Sequence, residues 1–101
     1  MQLVTAQTVN GSSSDARHQG SRQNGLLNVY VSGSLGAGTL TMEAKAPDGT
    51  YVPFQALTIG LQAFDLAPLV FSLTLAGSTA ANYSAWVEDD SEYTQDQIRI
   101  R

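Results

Sequence analysis

The chain has 101 residues, 43% of them hydrophobic and 14% charged, and a formal charge of −4. That length holds one domain with one core, and that apolar fraction excludes a disordered chain. Five scattered Lys and Arg residues exclude non-specific nucleic-acid binding, and the absence of cysteine excludes disulfides, thiol chemistry and Cys-ligated zinc.

No apolar run approaches the ~18 residues a membrane-spanning helix needs. "MQLVTAQTVN" has neither a basic start nor an apolar stretch, so it does not read as a signal peptide. Small secreted domains are commonly stapled by disulfides, so their absence points to assembly inside a cell. Charged residues are scarce against a usual ~25%, and Ser, Thr, Asn, Gln and Gly take their place. That composition fits β-structure with neutral faces, which suit contact with other proteins.

In chain order, "QLVTAQTV" is a weakly alternating strand. The next stretch, "NGSSSDARHQGSRQNG" (10–25), has no apolar periodicity and reads as a flexible polar arm or loop. Residues 1–25 are therefore separated from a body spanning 26–101. Period-two alternation marks the strands of that body. Leu27, Val29 and Val31 share one face of "LLNVYV", and Leu40, Met42 and Ala44 one face of "TLTMEA". "YVPFQAL" places Val52, Phe54 and Ala56 together, with Pro53 marking an edge strand or a bulge. "TIGLQAFDLAP" (58–68) reads equally as a strand or a short helix. Leu69, Phe71, Leu73 and Leu75 line one face of "LVFSLTL", Tyr83, Ala85 and Val87 one face of "NYSAWV", and "QIRIR" closes the chain as a further strand. Turn-rich segments separate these runs every eight to twelve residues or so. The expected fold is all-β: a single-domain β-sandwich or jelly roll of seven to eight short antiparallel strands.

Three constellations could carry chemistry. His18, the only histidine, lies near Asp15 and Ser12–Ser14. A hydrolytic triad needs a rigid scaffold, and a Gly/Ser loop offers none, so His18 reads as a solvated loop residue and the chain as a non-enzyme. The acidic run Glu88, Asp89, Asp90, Glu92 and Asp96 lacks the glycine and the alternating aspartates of a calcium loop. It reads as a solvated loop or a negative patch facing a basic partner. Pro47, Asp48 and Gly49 form a hairpin corner: Pro suits the first turn position, Gly supplies positive φ, and one carboxylate makes a poor cation site. No metal or other cofactor is implied. Trp86 falls on the face opposite Tyr83, Ala85 and Val87, so one of these aromatics lies outside the core. With Tyr30, Tyr51 and the arm residues Arg17 and Arg22, Trp86 is a candidate for a subunit or partner interface. The aromatics could alternatively form a sugar-stacking platform.

The ordered pieces "GTLTMEAKAPDGTYVPF" and "LVFSLTLAGSTAANYSAWVED" resemble a pattern in small structural proteins of tailed bacteriophages. In those, an alternating strand leads into a Pro-Asp-Gly corner and an aromatic strand, and a later strand passes a small-residue turn into "SAWV". The resemblance covers residues 26–90, and it departs at Tyr51, where Trp is common. It implies a virion component assembled in the host cytoplasm. The first expectation is a capsid decoration (cement) protein, a homotrimer bound across capsomers of the major capsid protein; the alternative is a neck, tail or fibre accessory subunit. It carries over no catalytic residue.

Overall fold

The structure, a computed structural model, describes residues 1–18 and 26–89. They form nine strands and no helix: β1 (Gln2–Gln7), β2 (Gly11–Ser12), β3 (Ala16–His18), β4 (Leu26–Ser34), β5 (Thr39–Lys45), β6 (Tyr51–Leu57), β7 (Gly60–Asp65), β8 (Leu69–Ala76) and β9 (Asn82–Asp89). Every pairing is antiparallel. The first sheet has the order β1-β9-β4-β7, and the second β2-β8-β5-β6, with β3 also paired to β8.

These pairings start from the Pro-Asp-Gly corner. There Ala46 N–H donates to the Thr50 carbonyl (2.7 Å) and Gly49 N–H to the Ala46 carbonyl (2.9 Å). Asp48 Oδ1 accepts from Thr50 N (3.0 Å) and Thr50 Oγ1 (2.6 Å), and Gly49 takes φ 92°. The Thr50 hydroxyl bond, then its N–H bond, hold the Asp48 carboxyl below the usual range. The corner is a closed hairpin turn joining β5 to β6. Outward from it, each earlier strand meets a later one: β4 with β7, β3 and β2 with β8, β1 with β9. The chain is one long antiparallel ribbon whose arms change sheets together. Lateral pairs β4–β9 and β5–β8 roll the ribbon onto itself.

Alternation then builds the core. Leu27, Val29, Val31, Tyr83, Ala85 and Val87 of the first sheet are buried in one cluster with Leu40, Met42, Phe71, Leu73 and Leu75 of the second. Each set repeats every second residue, as a pleated strand with one covered face requires.

Four expectations change. Residues 10–18, expected as part of a polar arm, lay β2 and β3 along β8; backbone pairing there needs no apolar side chains, so periodicity gave no sign of it. His18, expected in solvent, is fully buried on β3, where Nε2 lies 3.0 Å from the Leu66 carbonyl and donates to it. Val52, Phe54 and Ala56, expected on one face, are split: Ala56 pairs with outward Thr41 and Val52 with Ala44 of the opposite parity, all three being exposed on this edge strand. A bulge is the reason: Gln55 pairs with Met42 but Pro53 with Glu43, so Phe54 is an extra residue and the alternation slips. The ambiguous 58–68 segment resolves as strand β7. Pro53 does lie on an edge strand, as its missing N–H demands. The "QIRIR" strand and Arg22 lie outside the described residues.

Gly33 permits the tight end of the β4–β9 pair. Its φ is 98°, and a Cβ there would run into the Asn82 carbonyl oxygen. At Gly49 the φ is similar but a Cβ would meet open space. Gly49→Ala should therefore cost only the backbone strain, about 1–2 kcal/mol. Gly33→Ala adds a steric clash with main chain, and its loss should reach ~3 kcal/mol or more. Urea unfolding of both variants checks the ranking; equal losses would mean that the β4–β9 approach is looser than described.

Candidate functional site

On a sheet with one buried face, the outward positions are ordinarily polar. Across β2, β8 and β5 the second sheet obeys this, whereas its edge strand β6 exposes Tyr51, Val52 and Phe54. The sheet's transverse row Ser12, Thr74, Thr41 and Ala56 runs across four strands. Ser12 Oγ lies 2.8 Å from Thr74 Oγ1, which donates to Glu43 Oε1 at 2.9 Å. Hydroxyls and a carboxylate satisfy one another on that face.

The first sheet does not. Its row from β1 to β7 reads Gln2, Trp86, Tyr30 and Leu61, each directly opposite the next. Tyr30 is 41% exposed and Leu61 62%, while Trp86 is half-buried. These three, with Val31, Ser32, Gly60 and Glu88, line a shallow open depression of ≈ 720 Å³. The pleat explains the position: Val29, Val31, Ala85 and Val87 turn inward, so Tyr30 and Trp86 must turn outward.

Two of the polar groups beside this row are already engaged. Ser84 Oγ accepts the Ala6 N–H at 2.9 Å, and Glu88 Oε2 pairs with the Met1 amino group. What remains is a mainly apolar surface built from aromatic rings and a leucine.

Of the residues singled out in the sequence, only Trp86 and Tyr30 come together. Tyr51 sits on β6 of the second sheet, where its hydroxyl donates to Asp15 Oδ1 (2.8 Å) and Lys45 Nζ lies 6.0 Å from its ring centre. The Asp15 bond, chiefly, raises the Tyr51 phenol above its ordinary value. Arg17 is exposed on β3, opposite Val70. Pro47, Asp48 and Gly49 stay at the hairpin tip, on the loop closing β5 and β6. Leu61 is the member of the row that sequence reasoning missed. Its signal was alternation with Ala63 inside a segment left open between strand and helix.

The hydrolytic candidates do not converge among the described residues. His18 points into the core, Asp15 is taken up by Tyr51 and by Lys45 (3.5 Å), and Ser13 Oγ accepts the Leu73 N–H. No three His, Asp or Glu side chains among the described residues gather as a cation would need. Asp90, Glu92 and Asp96 lie outside those residues. Compared with known proteins, the chain matches no family model, no curated protein and no solved structure. The phage resemblance therefore rests on the quoted motifs alone.

On the inward face of β9, the strand that carries Trp86, Tyr83 belongs to the core. It is fully buried, its Oη has no hydrogen-bond partner among the described residues, and burial raises its phenol above the ordinary 10.0. A raised folded value means that the neutral phenol favours folding. Its contribution is full below about pH 10 and is lost as pH rises through the folded value. Stability should fall on the alkaline side, and Tyr83→Phe should flatten that fall. At pH 7 the variant should equal or exceed the parent by up to ~1 kcal/mol, since no bond is lost. Urea titrations at neutral and alkaline pH check both parts; a marked loss at pH 7 would reveal a partner for the hydroxyl.

Proposed function

We propose that this chain is a non-catalytic assembly module that docks on a larger protein through the Trp86–Tyr30–Leu61 row. One observation carries the reading: Trp86, Tyr30 and Leu61 stand side by side across three strands on the outer face of the first sheet, while the inner strands of the other carry a bonded hydroxyl–carboxylate network. Interface centres are rich in Trp and Tyr and poor in charge, and standard interfaces bury roughly 1,200–2,000 Å². A sugar platform needs free donors and acceptors beside the rings. Here Ser84 Oγ and Glu88 Oε2 already bond within the chain and the lining is mainly apolar, which favours a protein partner.

We further read the fold as a jelly-roll sandwich. Taken as one interrupted strand, β2 and β3 leave two four-stranded sheets formed by a rolled ribbon, as in that architecture. Viral shells use it, but fold alone assigns no function. The motif resemblance to tailed-phage structural proteins supplies the setting: a decoration protein seated on the major capsid protein, holding capsomers together.

The experiment is a copy count of this chain in purified particles, paired with binding of variants to stripped particles. Copies on the scale of the capsomers support a decoration protein, a few per particle move it to neck or tail, and none sinks the virion reading. Trp86→Ala should weaken docking by ~30-fold, a hot-spot loss of about 2 kcal/mol. Tyr51→Ala, on the other sheet, should change it little. Equal effects would remove the row from the interface.

A further inference from the structure

A sheet edge is a row of unpaired N–H and C=O groups, and natural proteins blunt it with bulges, prolines, charges or brevity. Three edges of this molecule are blunted. β1 has register shifts on both sides of Val4, and Ala6 takes φ 45°. β2 and β3 are two and three residues long. β6 carries Pro53 and the Phe54 bulge.

β7 is different. It holds an unbroken register with β4 from Gly60 to Asp65 and contains no Pro, Lys or Arg. Among the described residues it pairs with β4 alone. Every second residue therefore directs its N–H and C=O away from the sheet. The neighbouring surface is apolar as well, with Ile59 48% and Leu61 62% exposed.

We propose that β7 is a self-association edge, and that a second copy of this chain adds its own β7 antiparallel across a two-fold axis. Self-complementarity argues for this occupant. A net charge of −4 opposes contact between copies in general, so a self-contact must fall where like charges do not meet, and β7 is neutral from Gly60 to Phe64, with Asp65 at its end. Antiparallel pairing that keeps outward residues on one face must match positions of equal parity. Placing Gln62 opposite Gln62 does so. Leu61 then faces Ala63 of the second copy, and the two Asp65 carboxylates stand at opposite ends of the ladder. A two-fold contact of this kind is self-complementary and closes at the dimer. It joins both first sheets into one and sets two Trp86–Tyr30–Leu61 rows side by side. The inference does not depend on what those rows bind.

The test uses the full chain in sedimentation equilibrium, with Ala63→Lys and, as control, Val52→Lys on the blunted β6 edge. The parent should run at twice the 10.7 kDa chain mass. Ala63→Lys should raise the dimer dissociation constant by about tenfold or more, and Val52→Lys should leave it unchanged. The chain has no cysteine, so a mixture of Leu61→Cys and Ala63→Cys chains gives a second readout. Oxidation should link one to the other and reducing agent should part them. A monomer at all concentrations, a trimer, equal sensitivity to both lysines, or no mixed cross-link would overturn the proposal. A β7 dimer that leaves docking intact in Trp86→Ala would separate this result from the functional reading.

Discussion

The turn at residues 46–50 is the constraint on which the rest of the structure depends. Once β5 folds back on β6 there, each further pairing is the continuation of one ribbon, ending with Gln2 opposite Trp86. Asp48 locks that tip from its own side chain, and Gly49 supplies the backbone sign that a β-carbon resists. The tip is local and quick to form, whereas β1–β9 pairing must close nearly the whole described chain. Folding should therefore run from a cheap turn toward an expensive last strand, as expected where distant pairings dominate.

Much of this was legible in the sequence because one physical rule governs most of it. A strand with one covered face repeats every second residue, and Leu27/Val29/Val31, Leu40/Met42 and Tyr83/Ala85/Val87 say so directly. The rule also put Trp86 and Tyr83 on opposite faces of β9, and the buried Tyr83, Ala85 and Val87 decide that Trp86 is the outer one. It failed where other forces act. β2 and β3 are held by backbone bonds and by the Ser12 and Ser13 hydroxyls, which leave no apolar rhythm. His18 is buried in a three-residue strand too short to show alternation. Phe54 fell to a bulge, which inserts one residue and reverses every parity beyond it. Which outer face is apolar was only half legible, because Leu61 sat in a segment with no clear period.

The two sheets share a core but treat their outer faces in opposite ways. On the second, Ser12, Thr74 and Glu43 bond one another across the inner strands, and exposed large apolar side chains are confined to the edge strand β6. On the first, aromatic carbon stays in contact with water although the same strands could carry Thr or Ser at no cost to the core. Folding does not require Trp86, Tyr30 and Leu61 to be apolar, and it is this surplus of exposed apolar surface on which the proposed docking role rests.

Edge and face then belong to one design. Strand β7 supplies both Leu61, the outermost member of the aromatic row, and the single regular edge. If that edge were meant to stay bare, the proline or bulge that guards β6 a few residues earlier would be expected on β7 too. Its absence next to an apolar row is what two-fold sheet continuation needs, because the added strand extends the row instead of ending it. In the proposed dimer two docking faces held side by side would act together, and the linkage would raise effective concentration without any new contact to the partner. A shell or fibre offers repeated sites at fixed spacing, which is the kind of partner on which such a paired face gains most.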